Sequence, residues 1–345
     1  MQAIPAPDQL IRQAASERRA RLRHRLLDFA ISYGTLIALV VLFAYFAFTT
    51  PYFFTVDNLV NIGRFAAVGG ILAAAFTFAL ITAQVDLTIG PAIGVAAITY
   101  AVVAERHHGS VASAILVTLL VCVGIGLANG VLVVDLGVNS FIGTLAMSIF
   151  LTGAGLVIPG PTSQSIFLTD HSQSLHSFAT GRVLGLPVPL LLMAGVYAVF
   201  YVVLTFTRLG WHVYAVGGNP SAAVRAGIRV NGIYRLAFVV TALTAGVSAL
   251  LLVGQANYAS SAPGVGTGGT LTLTVLASVL IGGMDLSGGG GGRIERTLVG
   301  VALVAVLENG LVLNNQDNYV QYMVTGIVFV LAVLLSSVAR KRKAR

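Results

Sequence analysis

The residues able to do chemistry in this chain are few, and most lie inside or beside long apolar runs: Asp86 close to Gln84, Asn129, and the pair Glu308-Asn309. An ionised group in hydrocarbon costs about 3 kcal/mol or more unless it meets water or a partner. Such groups therefore either line a polar path or hold helices together. Asn129 and Asn309 fit both roles. Glu308, a buried acid with no basic neighbour in sequence, reads as path-lining, and Asp86 fits a path or an interfacial turn or cap equally. His107-His108 has only Glu105 nearby, whereas adjacent ligands need two or more further donors to hold a metal, so the pair reads as a solvated loop. No P-loop is possible, because Lys341 and Lys343 each follow an arginine and no Gly-Lys-Ser/Thr exists. The metalloprotease HExxH, the hydrolase GxSxG and a serine with an evident base partner are also missing, which disfavours an enzyme. No cofactor site is expected in this chain.

The elements that must position these groups are membrane helices. Mean hydropathy is +0.90, with 57% hydrophobic and 9% charged residues, against about 25% charged in soluble domains. The expected fold is all-α and polytopic, embedded in the lipid bilayer. Apolar runs long enough to cross it fall near 26–49, 66–83, 89–104, 111–134, 138–158, 186–207, 236–256, 268–283, 297–313 and 319–339. That makes about ten transmembrane helices with both termini on one side. The chain divides into a basic segment at 1–25, a membrane domain at 26–339 and a basic tail at 340–345. With this count, seventeen of the twenty Arg and Lys residues fall on one side, leaving only Arg64, Arg106 and Arg182 on the other. The positive-inside rule makes the arginine-rich side cytoplasmic. The net charge of +8 is thereby explained without nucleic acid. The first apolar run is too long for a signal-peptide core and should remain as a span. Cys122, alone in an apolar segment, reads as a small core residue.

The longest basic interruption, RLGWHVYAVGGNPSAAVRAGIRVNGIYR at 208–235, is where a partner is expected. Asn219 is placed to cap a helix, Pro220 suits its first position, Ser221 to Ala226 continue it, and Gly227 ends it in a left-handed conformation. This gives about two turns of helix, flanked by Gly217-Gly218 and bounded by arginines such as Arg225. A short structured helix between cytoplasmic span ends is a handle to push on.

Two spans are unusual. The third is short and opens on Gly90-Pro91, and the eighth follows SSAPGVGTGGT. Either is open to being broken or re-entrant, which is tolerated only where protein covers it or it lines a cavity. The connector at 159–185, rich in Ser, Thr and Pro, is the longest on the far side and fits a landing surface or a plain solvated loop. An internal echo is present: Leu80-Ile81 before Asp86-Leu87-Thr88 recurs as Leu280-Ile281 before Asp285-Leu286-Ser287. Asn129-Gly130 returns as Asn309-Gly310, but the topology makes the first pair parallel and the second inverted, so the symmetry stays open.

Five segments, in order, resemble the permease subunits of ribose-type sugar ABC importers, within the larger group that includes branched-chain amino acid permeases. They are ALITAQVDLTIG (79–90), NSFIGTLAM (139–147), VYAVGGNPSAAVRAGI (213–228), VLIGGMDLSGGGG (279–291) and LENGLVL (307–313). Ala83-Gln84 stands where the family has two glycines, Ser140 for a proline, Asp285 for a serine and Glu308 for an asparagine. The resemblance implies two permease subunits around one path, two ATPase subunits on the cytoplasmic face and an extracytoplasmic sugar-binding protein, in a bacterial inner or plasma membrane. It also implies that Gly217, Gly218, Asn219, Pro220, Ala223, Arg225 and Gly227 form the element that couples to the ATPases. Asn139 and Phe141 join Asp86, Asn129, Glu308 and Asn309 as candidates for the path. Leu286-Ser287-Gly288-Gly289 imitates the signature of the ATPases themselves, but it sits between spans and is a decoy.

The function expected is that of a permease subunit without an ATPase motif of its own, moving a monosaccharide, pentose or hexose, released by the binding protein. Nucleosides or branched-chain amino acids remain open as cargo. The reading from another class is an ion-coupled carrier with Glu308 or Asp86 as the protonated group.

Overall fold

The computed structural model describes residues 33–160, 165–169, 172–260, 268–284 and 289–343. The basic segment at 1–25, the start of the first span, Asp285 to Gly288 and the last two residues of the tail lie outside the described residues. So do residues 261–267 of the glycine-rich stretch before the eighth span.

The chain runs α1 (Tyr33–Thr49), then α2 (Val56–Ile81), α3 (Ile89–Ala101) with a π-helical turn at Val102–Arg106, α4 (Val111–Gly130) with another at Val131–Asp135, and α5 (Ser140–Val157). A strand β1 (Ser165–Phe167), a short helix α6 (Gln173–Thr180) and a hairpin β2 (Arg182–Val183) and β3 (Leu186–Pro187) precede α7 (Val188–Phe206). Then come α8 (Arg208–Gly218), α9 (Pro220–Arg225), α10 (Val230–Ala256), β4 (Tyr258–Ser260), α11 (Gly268–Ile281), α12 (Ile294–Leu313) and α13 (Asn318–Lys343). The fold is all-α, and among the described residues sheet is confined to the pairs β1–β4 and β2–β3. Among the described residues seven helices are long and apolar enough to span a membrane, namely α2, α3 and α4 with their π turns, α5, α7, α10 and α12. Shorter apolar helices at Tyr33–Thr49, Leu271–Ile281 and Tyr319–Leu331 stand where the remaining three spans are expected.

Burial sorts these helices. The apolar window of α2 is 78% buried and that of α10 61%, whereas α5 and α7 reach only 22%. The reason is side-chain size. Ala67, Ala73, Ala74 and Ala75 of α2, Ala92, Ala96 and Ala97 of α3, and Ala237, Ala242, Ala245 and Ala249 of α10 are all buried, and small residues let helix backbones approach closely without a hydrophobic driving force between them. The outer helices instead expose Ile149, Phe150, Val199 and Val202, a surface suited to acyl chains or another subunit. Cys122 is buried at the α4–α10 contact, against Gly246.

Polar contacts between connectors fall into the same two sets that charge separates. On the arginine-rich face, Arg235 pairs with Asp135, Gly290 N–H donates to Ile81 O at 2.7 Å, and Tyr214 donates to Gly292 O at 3.2 Å. On the opposite face, Arg106 donates to Pro159 O, β1 pairs with β4, and Thr169 and Ser172 donate to Glu105 at 2.5 and 2.6 Å. The described parts of the connector at 159–185 are therefore folded against the spans rather than a plain loop.

The third span is a continuous helix through Ile89–Arg106. What is irregular is the segment before it, where Asp86 and Thr88 are fully buried; non-helical backbone at this depth is tolerated because protein covers it. The echo at Leu80 and Leu280 is visible in the backbone. Ala83 and Gly283 are both left-handed, at φ 60° and 90°, and Gln84 N donates to Ala79 O as Met284 N donates to Val279 O. Two helices thus end in the same turn.

Candidate functional site

The arginine-rich face carries a short helix capped at both ends. Asn219 Oδ1 accepts from Ala222 N at 3.0 Å, capping α9, and Pro220 takes its first position. At the other end Gly227 has φ +81°, Gly227 N donates to Val224 O at 2.9 Å, and Ile228 N donates to Ala223 O at 3.0 Å. These are the two bonds of a Schellman termination. Six residues of helix would not hold alone; two caps and a seat hold them here.

The seat is α8, which sequence reading missed. Its glycines Gly210, Gly217 and Gly218 and its mixed polarity hide a helix from any apolar run. Thr207 caps it by accepting from Gly210 N, and Val213 and Val216 are buried beneath it. The expected coupling residues then separate. Gly218, Asn219, Pro220, Arg225 and Gly227 are exposed. Ala223 is 3% exposed and faces inward, and a side chain on Gly217 would sit 1.7 Å from Ile81 O. Two apolar side chains not singled out from sequence stand in the open on this basic face: Trp211, 74% exposed, and Val224, 60% exposed. Their composition is ordinary; only the helix geometry shows that they point away from the core.

The polar residues expected within the spans form two groups. Asp86 and Asn129 come together: Asn129 Nδ2 donates to Thr88 Oγ1 at 2.9 Å, and Thr88 donates to Asp86 Oδ1 from its hydroxyl at 2.5 Å and its backbone N–H at 2.9 Å. Thr241 of α10 donates to Asp86 Oδ2. Thr241 was not legible as a partner, because it lies 155 positions from Asp86. The neighbouring backbone is held by α5, whose Ser140 Oγ accepts from Val85 N at 3.3 Å and whose Thr144 Oγ1 accepts from Leu87 N at 3.1 Å. Asn139 caps α5, accepting from Phe141 N at 3.0 Å, and Phe141 is 51% exposed. On α12, Glu308 receives a 3.5 Å contact from Thr274 Oγ1, while Asn309 and Asn58 exchange two amide hydrogen bonds of 2.9 Å. These two residues tie α12 to α11 and α2, and among the described residues neither bonds to the Asp86 group.

Residues 58–333 match the family described as "Branched-chain amino acid transport system / permease component". The chain is 35% identical over 305 residues to the ribose import permease protein RbsC of Escherichia coli (strain K12), covering 88% of this chain and 92% of that one. It is 31% identical over 318 residues to the ribose import permease protein of Bacillus subtilis (strain 168), covering 90% and 93%. It is 28% identical over 339 residues to the L-arabinose ABC transporter permease protein AraH of Azospirillum brasilense, covering 98% and 95%. No solved structure gives a match. With its membrane helices in place and four-fifths of its length matched, the chain belongs to the family of branched-chain amino acid transport system permease components, on the branch of the ribose import permeases.

Proposed function

We propose that this chain is the permease subunit of an ABC importer for a monosaccharide, a pentose or hexose, delivered by an extracytoplasmic binding protein and driven by separate ATPase subunits in a bacterial cell membrane. The match to sugar permeases over nearly their whole length carries the reading. Two copies of this fold, or one with a close relative, enclose the path. The exposed flanks of α5 and α7 are free for that pairing. Weak sites suit such a path, since tight binding would slow release; Asn139, Phe141, Glu308 and Asn309 are the candidates along it, while the buried Asp86 and Asn129 brace its wall through their bonds with Thr88 and Thr241.

The ATPases press on α9. Gly218, Asn219, Pro220, Arg225 and Gly227 face them together with Val224 and Trp211, and Gly217 and Ala223 support the helix from beneath. An apolar anchor ringed by polar residues is the composition of an interface centre. Because α9 leads through a turn of a few residues into α10, its displacement tilts that span and shifts the cavity between outward and inward openings.

Val224→Asp is expected to lower sugar uptake by about tenfold or more while membrane abundance stays at the wild-type level and the ATPase no longer copurifies. Normal copurification and uptake by this variant would remove α9 as the contact.

A further inference from the structure

We propose that an apolar groove between the spans, on the face opposite the arginines, holds one acyl chain of a phospholipid from the leaflet on that side. The proposal rests on the membrane placement of the chain and not on its cargo. α4 packs on α10, and α7 packs on α2, so a valley is left between α4 and α7 with α10 as its floor. The short helix α6 crosses the end of this valley, packed on both α10 and α7. Beneath it the groove encloses about 360 Å³. Ile115 and Leu119 line it from α4, Leu192 from α7, Val247 from α10, and Leu175 and Phe178 from α6. Among the described residues Ser174 brings the one polar side chain to the wall.

Depth, polarity and length choose the occupant. On α4 the lining starts at Val111, the first residue of the helix, and ends at Leu119, which is about 12 Å of helix against a hydrocarbon core of roughly 30 Å. The groove therefore spans one leaflet. Water does not suit it, since a buried water needs about two to four polar partners. A span of a second subunit does not suit it either, because such a helix would run through both leaflets. This groove stops where α4 closes on α10: a Cβ on Gly246 would stand 2.8 Å from Cys122 Sγ. At the other end α6 stands across the way out. A lipid tail instead enters from the side, past the half-exposed Phe178, and leaves its headgroup beside the exposed Gln173, Ser174 and Ser177. With Leu175 and Ala179 buried and those three polar residues in the open, α6 has the two faces of a helix at a membrane interface. The tail supplies dispersion contacts that the walls of an empty groove would forfeit, so it acts as packing between α4 and α7.

The test places the full chain in nanodiscs of dioleoylphosphatidylcholine, transfers it to a mild detergent and counts the phospholipid it retains by native mass spectrometry. The wild type is expected to keep one lipid per chain, and equally from nanodiscs of dioleoylphosphatidylglycerol, because the walls recognise the tail and not the headgroup. Ile115→Trp, which fills the groove, is expected to lower the retained fraction about tenfold, the equivalent of roughly two buried methylenes. Leu116→Trp, one position on, 58% exposed and outside the groove, is expected to leave it unchanged. No lipid kept by the wild type, retention that follows the headgroup, or equal retention by the two tryptophan variants overturns the proposal. A wild-type dimer that Ile115→Trp dissociates while lipid retention holds gives the groove to a second copy and overturns it too. Should Ile115→Trp fail to insert, Leu192→Trp fills the groove from the opposite wall and is read in the same way, and the headgroup comparison needs no variant.

Discussion

Gly217→Ala is expected to abolish uptake, whereas Gly218→Ala, one position on, leaves it near the wild-type rate. The two glycines look equivalent in sequence and are opposite in structure. A Cβ on Gly217 would stand 1.7 Å from Ile81 O and 2.4 Å from Gly290 N, whereas Gly218 has nothing within 4 Å of its own. Both obstacles are backbone, and they are bonded to each other, since Gly290 N–H donates to Ile81 O at 2.7 Å. No side chain can swing aside to make room. Three chain segments therefore meet at one point: the end of α2, the end of α8 and the glycine loop before α12. The added methyl must separate them at a cost of about 3 kcal/mol, the upper part of the range for overpacking. The consequence is mechanical as well as energetic, because this junction joins the lever to α2 and to the α11–α12 connector, not to α10 alone. Uptake of labelled sugar by cells, normalised to permease in the membrane, measures it. Transport by Gly217→Ala at the rate of Gly218→Ala would show that the junction opens during the cycle and is not a fixed seat.

Elements with a one-dimensional signature were legible in the sequence. Ten apolar runs and seventeen basic residues on one side place the spans, and Asn219-Pro220 with Gly227 predicts α9 to within a residue, because cap chemistry is local. The beginning of α2 was not legible. Asp57, Asn58 and Arg64 interrupt the apolar pattern, so the span is expected from 66, whereas the helix starts at Val56 with Thr55 as its cap. Asn58 is tolerated there because Asn309 meets it 251 positions later, and Asp57 because its side chain is 89% exposed. The strand in the 159–185 connector was hidden for the same reason: Ser165 to Phe167 become a strand only against Ser260 to Tyr258. Of the polar candidates, sequence identified Asp86 and Asn129 as residues needing partners but could not supply Thr241, since a threonine in an apolar helix carries no mark of what it faces. Asn139 looked like a path residue through family resemblance, and its observed bonds are those of a helix cap.

The group around Asp86 makes the second large prediction, and it separates the importer from an ion-coupled carrier. Asp86→Leu removes the acceptor of three buried donors, the Thr88 hydroxyl and backbone N–H and the Thr241 hydroxyl; Thr241 keeps Phe238 O as an acceptor, and the two Thr88 donors each cost about 1–3 kcal/mol when left unpaired. The loss falls at the start of α3, whose N-cap Thr88 has no other side-chain bond to the helix. A fall of roughly 5–10 °C in thermal midpoint in detergent is expected for Asp86→Leu, with a matching loss of membrane-inserted protein. Asp86→Asn is a different case. The amide oxygen still accepts from Thr88, and the amide nitrogen donates to Thr241 Oγ1, whose own proton turns to Phe238 O, 3.0 Å away. One amide hydrogen is left over, so the cost stays near 1 kcal/mol. The network therefore needs the shape of the carboxylate more than its charge. If transport is driven by ATPases through α9, Asp86→Asn imports sugar at close to the wild-type rate and still requires the ATPase subunits. If Asp86 instead carried a coupled proton, the amide would assemble equally well and transport nothing, because an amide cannot give up and regain a proton at that site. Stability and uptake measured on the same preparation distinguish the two, and a stable Asp86→Asn protein that is dead for uptake would overturn the assignment of Asp86 to a structural network.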